Sequence, residues 1–202
     1  TAEDGRLSGA ALFVLDAAEA DLFVIADRTG RLHLVEPGAA GLTQTPLTSI
    51  DHTRRLAELR FDGVAAEPLA RDNGDALTRL RDAGWVMLAA DTLGAAQTML
   101  DRAVAYAKER QQFGRVIGSF QAVKHLCAEM AAELEPARAL VWFAAYAFDH
   151  APEEASLTAA HAKAHLAEIG RFVARTATEV HGGIGFTDAL GLHYAFKRIG
   201  LN

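Results

Sequence analysis

The residues with the most chemistry in close order stand between Glu109 and His125, in ERQQFGRVIGSFQAVKH. Arg110 offers a planar guanidinium fork that suits a pyrophosphate. Gln112 and Gln121 can each donate and accept hydrogen bonds. Phe113 supplies a flat apolar face for a heterocycle, and Gly114 lets the chain turn sharply. Such a set can grip the ADP end of a dinucleotide. It reads equally as a solvated loop with Phe113 and Phe120 tucked against neighbouring helices. A second candidate is HGGIGF, His181 to Phe186. Its glycines let backbone come close to a phosphate or ribose, and glycines also simply end helices. It is not a Walker loop, and no strand precedes it as a dinucleotide-binding fingerprint requires.

Other chemistry finds less support. His161 and His165 are spaced i, i+4, as zinc ligands on one helix face can be. No carboxylate stands between them in an H-E-x-x-H arrangement, and alanines surround them, so a structural or solvated role is expected and no metal site. No G-x-S-x-G elbow appears for hydrolase chemistry. The single cysteine, Cys127, lies on an apolar helical stripe and reads as a packed thiol.

Two textures of sequence must position these groups. Up to about Leu69 the apolar residues come in short runs, ALFVLD, DLFVIAD, RLHLVEP and LAELRFDGV, each the length of a strand. RTGR (Arg28 to Arg31) reads as a turn with Gly30 at positive φ, and EPGAAG as another break. The opening AEDGRLSGAALFVLD reads as a hairpin already under way. The first half, residues 1–69, is expected to be a small antiparallel β-barrel or sandwich. From about Asn73 the period changes. Ala96, Leu100, Ala103 and Ala107 share one helical stripe. Val123, Cys127, Met130, Leu134, Ala137, Val141, Ala144 and Phe148 step by alternating fours and threes, the seam of a long helix that Pro136 should kink. A third helix runs from about Pro152 with Leu166, Ile169, Val173 and Val180 inward, and a fourth begins near Asp188. Residues 73–202 are therefore expected to form a four-helix bundle, and the whole an α+β chain.

The totals fit one or two soluble domains: 202 residues, 50% hydrophobic and 23% charged. A net charge of -6 without a basic stripe argues against nucleic acid as a partner. The apolar runs fall short of a membrane span, no export signal is visible, and one cysteine fits a reducing cytoplasm. The chain begins at Thr1 with no initiator methionine, as a processed chain or a piece of a longer one would.

A strand-rich half, a helical half, ERQQFG…GSFQAVKH and HGGIGF, in this order, closely resemble the acyl-CoA dehydrogenase family. The likeness runs from that family's middle β-domain, whose end DHTRRLAELRFDGV resembles, through most of its C-terminal helical domain. The family's N-terminal helical domain is absent. The wording is closest to the branch that degrades steroid side chains and related bulky acyl-CoAs, in which two different subunits often form an α2β2 complex. The resemblance implies FAD bound across a subunit interface, one subunit holding the flavin ring and acyl-CoA substrate and its neighbour the ADP part. The neighbour's share maps onto Arg110, Gln112, Phe113, Gln121, Gly182 and Gly183, with Glu179 where glutamine is common. The ring-holding share is weaker. Leu15, in FVLD, stands where the family has a threonine bonded to the flavin. The proton-abstracting glutamate has two family positions. One lies beyond FKRIG (Phe196 to Gly200), past Asn202. The other falls at about Gly84, with Asp91, seven residues on, the nearest downstream acid. Glu109 reads as part of a helix end.

The resemblance thus implies a subunit of an FAD-dependent acyl-CoA dehydrogenase that completes a partner's FAD site and lacks its own base, with an electron-transfer flavoprotein as acceptor. A fragment of an ordinary homotetrameric dehydrogenase and a flavin-free scaffold relative are the alternatives.

Overall fold

The computed structural model describes residues 2–69 and 74–202. The chain divides into two compact units, Thr1–Arg81 and Asp82–Asn202. The expected start of the helical half at Asn73 falls outside the described residues.

The first unit is built of β1 (Ala2–Glu3), β2 (Arg6–Leu15), β3 (Phe23–Ala26), β4 (Leu32–Val35), β5 (Leu42–Leu47), β6 (Leu56–Ala65) and β7 (Glu67–Pro68). They form two antiparallel sheets, ordered β1-β2-β6-β5 and β3-β4-β7. Neither sheet closes into a barrel. Instead Leu7 of β2, Phe23 of β3, Val35 of β4, and Leu59 and Phe61 of β6 share one buried cluster, as in a sandwich. Along β6 the buried Ala57, Leu59 and Phe61 alternate with more open positions, the period of a strand with one covered face. β5 (LTQTPL) is a strand beyond the four expected. It lies at a sheet edge, where Pro46 removes a donor at little cost. β2 is longer than ALFVLD suggested and is irregular between Ala11 and Val14, with Phe13 at φ 58.

The RTGR turn is held by the residue before it. Asp27 Oδ1 accepts from the Thr29 hydroxyl at 2.6 Å and from the Thr29 and Arg31 N–H groups. His33 Nε2 donates to Asp27 Oδ2 at 3.0 Å. The Thr29 hydroxyl first, and His33 next, hold the Asp27 carboxyl well below its ordinary value. Gly30 has φ 87, as expected.

In the second unit, α1 (Ala76–Glu109, which begins before it) is followed by a hairpin, β8 (Gln111–Gln112) and β9 (Arg115–Val116). Then come a 3-10 turn, α2 (Gln121–His150), α3 (Pro152–His181), the 3-10 turn Gly182–Phe186, and α4 (Leu192–Leu201). The expected stripes face inward. Ala96, Leu100, Ala103 and Ala107 are buried, as are Met130, Leu134, Ala137, Val141 and Ala144 of α2 and Leu166, Ile169, Val173 and Val180 of α3. α2 continues through Pro136 to His150. Small residues let the helices come close: a Cβ at Gly170 of α3 would stand 2.6 Å from Thr92 of α1 and 3.0 Å from Ile199 of α4. α4 begins later than the expected Asp188. Residues 188–190 form a turn, and Gly191, at φ 60, accepts the left-handed conformation that precedes the helix. The Asp91 carboxylate accepts two bonds from Arg198 Nε, at 3.1 and 2.8 Å, and one from Asn202 Nδ2, tying α1 to the end of α4. Trp85 on α1 is half-buried, whereas Trp142, Phe143 and Tyr146 lie exposed on α2. Among the described residues no helix is long and apolar enough to cross a membrane.

Candidate functional site

Helix α1 hands over to the hairpin through backbone bonds: Arg110 N–H donates to the Tyr106 carbonyl, and Ile117 N–H to the Arg110 carbonyl. Gln111 pairs with Val116 and Gln112 with Arg115, leaving Phe113 and Gly114 as a two-residue tip. Both have positive φ, 53 and 77, the pattern of a type I′ hairpin. Positive φ is strained for a bulky residue, and the Phe113 ring is 91% exposed rather than tucked away. It meets the half-buried Phe120 edge-on, with centroids 6.1 Å apart, and the Arg115 guanidinium lies 4.0 Å over Phe120.

Where the hairpin meets the end of α3 lies a cavity of about 340 Å³. Five of the expected residues line it: Arg110, Gln112, Glu179, Gly182 and Gly183. Phe113 and Gln121 stand outside it. Gln121, at the first turn of α2, faces His125 Nε2 at 3.4 Å. The other five lining residues, Tyr106, Ile117, Val180, His181 and Ile184, were not foreseen as site residues, and two of them pair. The Tyr106 ring stacks on His181 at 4.7 Å and 27°, and His181 Nδ1 donates to the Ala177 carbonyl at 2.7 Å. Because a carbonyl only accepts, that bond places a proton on Nδ1. His181 lay in a quoted motif, but nothing in sequence spacing pairs it with a tyrosine a whole helix away.

The glycine turn keeps its backbone open. Gly182 has φ 64, and its N–H donates to the Glu179 carbonyl. Among the described residues, a Cβ built at Gly183 meets no atom within 4 Å beyond its immediate chain neighbours. Among the described residues the Arg110 guanidinium has no hydrogen-bond or ion-pair partner. A free cation, an amide and bare backbone beside one cavity fit the ADP end of a dinucleotide. Larger cavities, of about 520 and 560 Å³, lie elsewhere and include none of these residues.

Residues 77–201 match the family model described as acyl-CoA dehydrogenase, C-terminal domain. The chain belongs to the acyl-CoA dehydrogenase family. It is 40% identical over 153 residues to the acyl-CoA dehydrogenase IpdE2 of Mycobacterium tuberculosis, a match covering 76% of this chain and 44% of the relative. Among solved structures it superposes on the steroid ACAD Tcur3481-Tcur3483 with a TM-score of 0.87 at 32% identity, covering 99% of this chain and 55% of the other. It superposes on the ChsE4-ChsE5 complex of Mycobacterium tuberculosis with a TM-score of 0.86 at 30% identity, covering 96% and 54%. The chain thus spans about half the length of the relatives it matches.

Leu15 and Gly84 stand at the positions that the resemblance gave for the ring-side threonine and the base. Leu15 pairs with Leu56 in the sheet ladder, and its half-exposed side chain has no hydroxyl to donate. Gly84 sits within α1 with open space where a side chain would start. Asp91 is bound to Arg198 and Asn202. Glu109 is the last residue of α1. His161 is exposed and His165 half-buried; among the described residues no group of three potential ligands could hold a metal ion. Burial pushes the Cys127 thiol pKa up, which makes it less reactive.

Proposed function

We propose that this chain supplies the ADP-holding arm of an FAD-dependent acyl-CoA dehydrogenase. A second, different subunit carries the flavin ring, most of the acyl-CoA site and the proton-abstracting carboxylate. The observation that carries this reading is the convergence of Arg110, Gln112 and the Gly182–Gly183 turn on one cavity, in a chain whose Leu15 and Gly84 lack the polar groups the resemblance calls for.

The chemistry supplied by FAD, when bound, is acceptance of hydride from the acyl β-carbon. This chain's residues hold and orient. Arg110 neutralises a phosphate, Gln112 bonds beside it, and Gly183 leaves room for backbone to approach. The Tyr106–His181 stack stiffens the cavity wall. Phe113 and Gln121, outside the cavity, offer a flat face and an amide to a longer stretch of the same ligand. An electron-transfer flavoprotein is the natural acceptor, the substrate class is a bulky or steroid-derived acyl-CoA, and the compartment is the cytoplasm.

The test is to produce the chain alone and with its partner, then measure flavin content and acyl-CoA dehydrogenation. The expected result is little flavin and no turnover from the lone chain, with both restored in the complex. Full flavin loading and turnover by the lone chain would overturn the reading. The greater length of the relatives favours a second reading, in which the same arm belongs to a longer chain that assembles with copies of itself. The reading frame on either side of this sequence decides between the two.

A further inference from the structure

The cavity between the hairpin and the end of α3 is lined by one cation and one anion, Arg110 and Glu179. Opposite charges on one small cavity usually meet. These two do not, and among the described residues neither side chain has any other hydrogen-bond or ion-pair partner. A ligand spanning the cavity must offer an anion to Arg110 and hydrogen-bond donors to Glu179, because a carboxylate only accepts. A nucleoside diphosphate has that order, phosphates followed by a ribose with two free hydroxyls. An acidic side chain reads ribose hydroxyls in this way elsewhere, and it disfavours a phosphate placed on them.

We infer that Glu179 is a specificity residue, admitting an ADP group with free ribose hydroxyls and excluding one that bears a phosphate on the ribose. This rests on the reading of the cavity as an ADP site. It has a consequence for an enzyme of acyl-CoA. FAD ends in ADP, whereas coenzyme A ends in ADP with a 3′-phosphate. Glu179 keeps the substrate's nucleotide out of the cofactor's cavity.

The experiment uses the chain together with any subunit that copurifies, freed of flavin, titrated calorimetrically with ADP and with 3′-phospho-ADP. ADP should bind about tenfold more tightly, the effect of one like-charge repulsion near a protein surface. Glu179→Gln should bring the two ligands to within about twofold, and Glu179→Lys should reverse the order. Raising the salt concentration should shrink the wild-type preference, which a merely structural role for Glu179 would not predict. Glu179 is exposed, so both variants should melt like the wild type. Equal affinities in the wild type, or an unchanged preference in Glu179→Gln, would overturn the inference alone, provided ADP binding still depends on Arg110. Absence of ADP binding, or ADP binding untouched by Arg110→Ala, would overturn both this inference and the ADP site itself.

Discussion

Gly41 and Gly183 both stand in exposed turns, one in the sheet unit and one at the end of α3, and each is glycine for a different reason. At Gly41 the backbone has φ 87, and a Cβ would stand 2.3 Å from the Asp62 carbonyl oxygen. The chain's own backbone excludes a side chain there. At Gly183 the φ is not left-handed, and a Cβ meets nothing within 4 Å. Among the described residues no tertiary neighbour explains the missing side chain. Gly41 lets the fold close, whereas Gly183, under the proposed function, leaves a surface bare for a ligand.

The sharpest way to break that contrast is Gly41→Ala. It should destabilise the sheet unit by about 3 kcal/mol, since the clash is with backbone and adds to the cost of the left-handed conformation. Urea denaturation followed by far-ultraviolet circular dichroism measures it, and nucleotide affinity should not change. Next in size, Arg110→Ala should weaken ADP or flavin binding by about 10- to 100-fold, the loss of a charge-assisted hydrogen bond, with an unchanged melting midpoint. Gly183→Ala should weaken the same binding about tenfold while leaving stability unchanged or raising it by up to about 1 kcal/mol. A loss of stability instead would show that Gly183 is needed by the fold, as Gly41 is. Asp91→Asn should cost about 1 kcal/mol by loosening Arg198 on the half-exposed end of α4, and should leave ADP binding intact. The RTGR turn, explained wholly by Asp27, gives the smallest effect, confined to acid. The Asp27 carboxyl is held below its ordinary value of 3.8 in the folded chain. Its stabilisation is therefore present above that pH and lost as the pH falls below it. Asp27→Asn should flatten that part of the acid denaturation curve.

The helical half was largely legible because its seams repeat. The alternating four-three spacing from Val123 to Phe148 admits one buried stripe, and α2 and α3 lie where that spacing puts them. The sheet half was harder. β5 hides because an edge strand needs only one partner and tolerates Pro46, so LTQTPL carries half a strand signal. The irregularity at Phe13 depends on register, which no local pattern states. In the cavity, Arg110 and Gln112 were visible as types and Gly182 and Gly183 as a motif. Their meeting, and the Tyr106–His181 stack behind them, come from the packing of α3 against α1. That is a tertiary fact with no trace in the spacing of either segment.

The division into two units also decides what an optical experiment can see. Both tryptophans, Trp85 and Trp142, and all three tyrosines, Tyr106, Tyr146 and Tyr194, fall within Asp82–Asn202. Tyrosine and tryptophan absorbance and fluorescence thus belong to the helical unit alone, and Tyr106 places one chromophore in the wall of the cavity. The sheet unit is dark at those wavelengths. It can melt without a change in emission, and only a backbone signal will record it.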